Sequence, residues 1–297
     1  HQAKDGKKLK DIMDNQALSQ KLEGYDIAPK EFSTISINGN ELNMWMVKPN
    51  DFDSSKKYPL LMFQYSGPGS QQVANRWMGS NDYWHQLLAS QGVIVACVDG
   101  RGTGFKGSEF KKSTYLNLVK YETEDQIAAA KKISELDYID EDKTGIWGWS
   151  FGGHMSTNSL LKGNETFEMA IAVAPVTSWR FYDTIYTERF LRTPQENPGG
   201  YDNESPFNYP ELLKGDYLLV HGSGDDNVHV QNTMRMAEAL LQADKQLEWA
   251  SYTDKNHGIY GGNTRKHLYR KMTDFVIEKL RDREKKPDQL SEEPIKG

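Results

Sequence analysis

Buried-strand patterns and helix patterns alternate along most of the chain. Continuous apolar runs, too hydrophobic for half-exposed strands, recur between stretches with helical spacing. This alternation predicts an α/β fold in which a mostly parallel central sheet carries helices on both faces. The strand-like runs are residues 59–65, 92–100, 143–150, 170–176 and 217–222, and two of the helical stretches are residues 121–136 and 232–243.

Two further patterns precede the first buried run. Apolar and polar residues alternate at period two on either side of the turn-forming tripeptide 38–40, which predicts an antiparallel hairpin. Upstream of it, Leu9, Ile12, Met13 and Leu18 lie near helical spacing. They predict a short amphipathic lead-in helix with no chemistry of its own.

Length, charge and cysteine content narrow the classes of protein. A chain of 297 residues can bury a full core, and we expect one domain rather than two. The net charge of −6 argues against nucleic acid as a partner. Cys97 is the only cysteine, so neither an intrachain disulfide nor a cysteine-based metal cluster is possible. We expect a soluble protein, without metal or cofactor, from which any leader has been removed.

Ser150 is the first candidate for chemistry. It stands between Gly148 and Gly152 at the end of an apolar run and before a helix-forming stretch. A sharp turn there would raise the serine hydroxyl above the strand ends, and the glycines would relieve crowding. The same five-residue pattern also fits a tight turn with a capping serine.

The order of later residues favours catalysis. Asp225 and Asp226 follow the run at 217–222, and His257 follows the next strand, which gives the order nucleophile, acid, histidine. We favour Asp225 as the acid because it lies closer to the strand end. We expect Asp226 to cap the following helix.

Two other histidines compete with His257 for the role of base. His221 lies at a strand end, where we expect it to support the loop, and His229 is expected to enter the next helix. His257 is favoured because it follows the last predicted strand and precedes Gly258.

Four motifs carry a family resemblance: GWSFGG, HGSGDDNVH, DGRGTGFKG and YSGPGSQ. From about residue 30 the chain resembles the catalytic domain of the prolyl oligopeptidase family, most closely its dipeptidyl peptidase IV branch. The family joins an α/β-hydrolase domain to an N-terminal β-propeller, and no propeller repeats occur here. The resemblance implies a lead-in or linker at 1–29, an α/β-hydrolase catalytic domain at 30–283 and a polar tail at 284–297.

The resemblance also assigns catalytic roles. It makes Ser150 the nucleophile, His257 the general base and Asp225 the residue that holds the imidazole. A serine hydroxyl is too weak an acid to attack unaided, so the three roles agree with the chemistry. The oxyanion donors would be the Tyr65 hydroxyl and the backbone N–H of Phe151. Tyr65 could also be half-buried core, but its place directly before SGPG favours the functional role.

A substrate slot is implied as well. Trp179, Tyr182 and Tyr186 are spaced i, i+3 and i+7, so if this segment is helical they share one face, although such stripes are often core. By resemblance they form a slot for proline together with Val176, Val228 and Phe151. Asn227 would bond to the substrate carbonyl that precedes the scissile residue.

These roles predict a serine peptidase that releases N-terminal di- or tripeptides by cleavage after proline or alanine. Phe151 stands where the dipeptidyl branch usually has tyrosine, so dipeptidyl and tripeptidyl specificity both stay open. The glutamates that grip the substrate amine belong to the propeller. A small-ester hydrolase and a non-catalytic interaction module of the same fold are the alternatives. The expected partners are peptide substrates, the missing propeller and a second copy in a homodimer, and the expected location is the periplasm or another exported site.

Overall fold

One sheet organises the described part of the protein. The computed structural model describes residues 6–77 and 79–283. Their eight strands are β1 (Glu31–Ile37), β2 (Asn40–Val47), β3 (Tyr58–Phe63), β4 (Ile94–Asp99), β5 (Ile139–Trp149), β6 (Met169–Val173), β7 (Asp216–Gly222) and β8 (Glu248–Tyr252). They lie in the order β1-β2-β4-β3-β5-β6-β7-β8.

The helices lie mostly between these strands. They are α1 (Gln16–Leu22), α2 (Ser80–Ser90), α3 (Ser108–Lys112), α4 (Lys120–Ser134), α5 (Phe151–Lys162), α6 (Thr184–Leu191), α7 (Pro198–Asp202), α8 (Gln231–Gln242) and α9 (Thr264–Val276). A π-helical turn, Ile277–Arg281, extends α9, and 3₁₀ turns occupy Trp179–Phe181, Pro206–Asn208 and Pro210–Leu212. No helix of the described residues is both long and apolar enough to cross a membrane.

The predicted parallel sheet is confirmed. The six strands β3 to β8 pair in parallel, whereas β2 pairs antiparallel with both β1 and β4. All five apolar runs are strands of this sheet. The predicted hairpin is β1–β2, and its turn residues Asn38 and Gly39 both have positive φ, at 49° and 76°. A two-residue turn of that hand matches the twist of the strands it joins.

Helices cover both faces of the sheet, as predicted. On one face, α2 and α9 pack on the strands; on the other face, α4, α5 and α8 do so. Each fully buried leucine or phenylalanine contributes about 1.5–3 kcal/mol, so the two layers hold the strand ends firmly. On the α2/α9 face, which also buries Cys97, the helices contribute Trp84, Leu88, Leu268, Met272 and Phe275. On the opposite face they contribute Ala129, Ile133, Leu160, Met236 and Leu240.

The prediction of a lead-in helix that includes Leu9, Ile12 and Met13 is wrong. The helix α1 begins only at Gln16, and those three side chains are largely exposed. Asn15, directly before α1, has left-handed backbone angles that break a continuous helix. A short helix needs a packing surface, and spacing alone does not supply one. The tail predicted at 284–297 lies outside the described residues.

Candidate active site

Ser150 lies at the turn between β5 and α5. Its φ of 63° and ψ of −119° are rare for a residue with a side chain. The turn is held because the Ser150 backbone N–H donates to the Val173 oxygen at 2.8 Å and the His154 N–H donates to the Ser150 oxygen at 3.1 Å. The strained turn therefore presents the serine side chain at the carboxyl end of the parallel strands.

Two glycines make this turn possible. A Cβ on Gly148 would fall inside the contact distance of the Gly152 backbone, and a Cβ on Gly152 would lie 2.6 Å from the Gln64 oxygen. The Gln64 side chain fastens the same region, because its Nε2 donates to the Gly152 oxygen at 2.7 Å. The end of β3 and the start of α5 are thus packed backbone against backbone.

Asp225 follows β7 and has a fully buried side chain. Its Oδ2 accepts hydrogen bonds from His257 Nδ1 at 2.7 Å and His221 Nε2 at 3.1 Å. Its Oδ1 accepts from the backbone N–H groups of Asn227 at 3.0 Å and Val228 at 2.9 Å. Burial raises the pKa of Asp225, but the bonds from His221 and His257 outweigh it and hold the pKa well below the usual range. The carboxylate is therefore ionised at neutral pH.

His257 lies in the loop between β8 and α9, with its side chain 21% exposed. Because Nδ1 faces Asp225, Nε2 is the nitrogen left for proton transfer. The loop is held at two points. Trp149 Nε1 donates to the His257 oxygen at 2.9 Å, and Arg265 Nε donates to the Gly258 oxygen at 2.8 Å.

The structure brings Asp225 and His257 together but does not join His257 to Ser150, the expected nucleophile. Within the described part of the chain, the Ser150 hydroxyl makes no hydrogen bond to His257. Bonds of this kind are often long in free enzymes and shorten when substrate binds. The geometry thus fixes the contact between Asp225 and His257, whereas a contact between His257 and Ser150 would have to form when a substrate binds.

The competing residues have other positions. Asp226 is exposed, and the expectation that it caps α8 is wrong, because the cap position is Val230. His229 does not enter α8; its Nδ1 accepts from the Gln231 N–H at 3.2 Å. His221 supports the loop, as expected, and also contacts Asp225 directly.

The two expected oxyanion donors flank the nucleophile turn. The Tyr65 ring, just beyond β3, packs on the Phe151 ring with 6.0 Å between centroids. Burial raises the pKa of Tyr65, and its hydroxyl makes no hydrogen bond to any described residue. Phe151 is the first residue of α5, where backbone N–H groups have no acceptor within the helix. Both groups can therefore donate to a ligand.

Asp99 anchors the loop that follows Tyr65, and the sequence analysis missed it. Its Oδ2 accepts from the backbone N–H groups of Gln72 at 3.0 Å and Val73 at 2.8 Å. Burial raises the pKa of Asp99 to about 6, although these bonds lower it. The only signal in the sequence was its place at the start of the DGRGTGFKG motif.

The three aromatic side chains expected in the slot form one cluster, but not on one helix. Trp179 lies in a 3₁₀ turn, Tyr182 is extended, and Tyr186 lies on α6, so the predicted shared helical face is wrong. Asp183 starts a new helix by accepting from the Tyr186 N–H at 2.7 Å, which breaks the spacing. The rings nevertheless converge: Trp179 lies 6.0 Å from both tyrosine rings, and these lie 5.3 Å apart.

The other expected slot residues join this cluster. Phe151, Val176 and Val228 are buried in it. Tyr182 donates its hydroxyl proton to Asn227 Oδ1 at 2.7 Å, so it orients the amide of Asn227. Burial raises the pKa of Tyr182 to about 12, which keeps that donor protonated. Members that sequence reasoning missed come from loops and helices without a distinctive local pattern: Leu118, Val119, Met155, Phe190, Leu191 and Tyr201.

A family model described as the prolyl oligopeptidase family matches residues 80–283. The chain belongs to the prolyl oligopeptidase family. The prolyl endopeptidase FAP of Bos taurus is 41% identical over 282 residues, which are 93% of this chain and 36% of that protein. A probable dipeptidyl-aminopeptidase B of Phaeosphaeria nodorum is 42% identical over 265 residues, which are 88% of this chain and 29% of that protein.

A solved structure agrees with this family assignment. Dipeptidyl peptidase 4 of Porphyromonas gingivalis matches with a TM-score of 0.87 and 53% identity, covering 91% of this chain and 38% of that one. The prediction of an α/β-hydrolase fold is thereby confirmed. The chain of this prolyl oligopeptidase family member spans about a third of the length of these relatives.

Proposed function

We propose that the protein is a serine peptidase that cleaves after proline or alanine near a peptide N-terminus and releases di- or tripeptides. The observation that carries this proposal is the 2.7 Å bond between Asp225 and His257 at the strand ends where the Ser150 turn also lies. The family and its similar relatives, named as dipeptidyl-aminopeptidase and prolyl endopeptidase, support the same chemistry.

Each residue of the proposed active site has its own role in the reaction. His257 Nε2 accepts the hydroxyl proton while Ser150 Oγ forms a bond to the scissile carbonyl carbon. The developing oxyanion receives hydrogen bonds from the Tyr65 hydroxyl and the Phe151 N–H. His257 then gives the proton to the leaving nitrogen as the C–N bond breaks. Water then bonds to the acyl carbon as His257 takes its proton, and His257 returns that proton to Ser150 Oγ as the ester bond breaks. The ionised Asp225 stabilises the imidazolium formed in each half of the reaction.

The slot supplies the selectivity for proline. Its walls are aromatic and branched side chains, and a proline ring brings no N–H that would need a partner there. The ring walls are Trp179, Tyr182 and Tyr186, with Val176, Val228 and Phe151 beside them. Asn227, held by Tyr182, is placed to bond to the substrate carbonyl before the scissile residue.

The larger assembly is part of the same proposal. Residues 30–283 act as the catalytic domain, with 1–29 as a linker and 284–297 as a tail. A β-propeller of the full-length protein supplies the carboxylates that bind the substrate amine. The relatives' greater length supports this division. A homodimer and a periplasmic or other exported location complete the proposal.

A direct comparison of substrates tests the reaction class. We expect the full-length protein to hydrolyse Gly-Pro p-nitroanilide with a higher kcat/KM than Gly-Gly p-nitroanilide and than p-nitrophenyl acetate corrected for its spontaneous hydrolysis. Preference for the ester would favour a small-ester hydrolase. No turnover of any of the three would favour the non-catalytic interaction module.

A further inference from the structure

A second histidine lies on the carboxylate that orients His257. His221, on β7, is completely buried. Its Nε2 lies 3.1 Å from Asp225 Oδ2 and 2.8 Å from the Val228 oxygen. Its Nδ1 lies 2.7 Å from Thr233 Oγ1 on α8.

The partners of the ring define its tautomer. Nε2 faces an ionised carboxylate and a backbone carbonyl, and neither can donate a hydrogen bond. The proton therefore lies on Nε2. Thr233 is a hydroxyl that can donate to Nδ1, so a neutral ring with its proton on Nε2 satisfies every partner. Asp225 and Val228 thus set the position of this proton, and Thr233 supports it with a hydrogen bond at Nδ1.

Both histidines share one oxygen of Asp225. Oδ1 is already occupied by the backbone N–H groups of Asn227 and Val228, so the carboxylate cannot rotate to serve the two rings separately. The titratable groups bonded to Asp225 in the described chain are His221 from β7 and His257 from the β8–α9 loop. On the α8 side the contact to the His221 ring is the uncharged Thr233.

We propose that His221 is a positioning residue, whose Nε2–H holds Asp225 Oδ2 against His257 Nδ1 and limits the negative charge that the imidazolium meets. This proposal rests on the proposed function for the choice of peptide substrate, whereas the hydrogen bonds among His221, Asp225 and His257 do not depend on that choice. Without this donor, the carboxylate of Asp225 would present more negative charge to His257 and attract its protonated form more strongly. The carboxylate would also lose one of the hydrogen bonds that hold it in place. This loss would lower kcat rather than raise KM.

The variants separate positioning from packing. His221→Leu removes the donor, and His221→Gln restores an N–H at a similar reach. Thr233→Val keeps the shape of the side chain but removes the hydroxyl that bonds to Nδ1 and holds the His221 ring in place. Thr157→Val is the matched control, because Thr157 is equally buried and its hydroxyl bonds to the Gly153 oxygen at 2.9 Å and to the Tyr217 hydroxyl at 2.8 Å, away from Asp225.

Two readouts in the full-length protein test the proposal. One is the pH profile of kcat and KM for Gly-Pro p-nitroanilide, and the other is the pH dependence of the rate at which a fluorophosphonate labels the protein. For His221→Leu we expect kcat to fall roughly tenfold to a hundredfold with KM little changed, as for other outer hydrogen bonds in active sites. The acid limb of both profiles should move to higher pH. Thr233→Val should show a smaller change in the same direction, His221→Gln should recover most of the loss, and Thr157→Val should match the wild type.

Several results would overturn the proposal. If His221→Leu is labelled at the wild-type rate, with kcat and both acid limbs unchanged, His221 has no part in the mechanism. Loss of activity in His221→Leu without a shift of the limb, or no recovery in His221→Gln, would leave only a structural role. If His221→Leu does not fold, an unshifted limb in Thr233→Val overturns it equally. If the wild type is labelled but does not cleave the anilide, the proposed peptidase specificity fails while labelling still decides the role of His221.

Discussion

Trp149 Nε1 donates a hydrogen bond to the backbone oxygen of His257 at 2.9 Å. The residue directly before Ser150 thus holds the loop that carries the expected base. Arg265 lies over the same indole ring, 4.9 Å from its centroid, and bonds to the next residue of the loop, Gly258. The distance between Ser150 and His257 is therefore set through Trp149 as well as through the sheet.

Trp149→Phe tests this link. The variant keeps an aromatic ring but loses the indole N–H that bonds to the His257 oxygen. We therefore expect kcat for Gly-Pro p-nitroanilide to fall about threefold to tenfold, the effect of one hydrogen bond of ordinary strength. Trp249→Phe, a substitution of a half-exposed tryptophan on β8, is the control and should leave kcat unchanged. Equal rates for the two variants would show that the indole donor does not position the loop.

Asp225→Asn should lower kcat by about 10⁴, because an amide donates to Nδ1 and favours the wrong imidazole tautomer. Asp226→Asn is the matched control: Asp226 is adjacent and exposed, and this variant should keep near-normal rates. Steady-state kinetics of both variants decide the matter. The reverse ranking would assign the acid to Asp226.

Tyr65→Phe isolates one oxyanion donor. Because the Tyr65 hydroxyl bonds to no described residue, the fold should be unaffected, while kcat should fall by about 10²–10³. The exposed Tyr25 provides the control variant Tyr25→Phe. A kcat within twofold of wild type, measured with thermal unfolding as a check on folding, would exclude the hydroxyl from the oxyanion site.

Asp99 predicts a specific dependence of stability on pH. Burial raises its pKa from about 4 to about 6, so the folded chain binds this proton more tightly than the unfolded chain does. Its contribution to the free energy of unfolding is complete below about pH 4 and is lost as the pH rises through about 6. The unfolding free energy of wild type minus that of Asp99→Asn should therefore fall by on the order of 2 kcal/mol between pH 4 and pH 7.

Urea unfolding at several pH values measures this difference. Asp53→Asn is a control of opposite sign, because hydrogen bonds from Ser55 lower the pKa of Asp53. The unfolding free energy of wild type minus that of Asp53→Asn should therefore rise with pH. A flat difference for Asp99→Asn would mean that Asp99 does not titrate in this range.

The sequence was informative where a pattern is local. Five apolar runs marked buried strands, and the strand–serine–helix pattern marked the Ser150 turn, because burial on both faces and a tight turn each restrict residue type locally. The aromatic slot was assigned to one helix because spacing cannot show that Asp183 restarts the helix between Tyr182 and Tyr186.

The contacts of His221 and Asp99 could not be predicted from a local sequence pattern. His221 and Asp225 are four residues apart, yet their bond depends on the curl of the loop around Oδ1, which long-range packing sets. Asp99 bonds to residues 72 and 73, a pairing created only when β3 and β4 lie side by side. Neither pairing has a periodic signature.

The central claim is that Ser150 is the nucleophile of a peptidase. The most direct measurement is the intact mass of the full-length protein after treatment with a fluorophosphonate, taken together with turnover of Gly-Pro p-nitroanilide, in wild type and Ser150→Ala. We expect one adduct per chain and turnover in the wild type, and neither in a Ser150→Ala variant that unfolds at the wild-type temperature. An adduct or undiminished turnover in Ser150→Ala would contradict the claim.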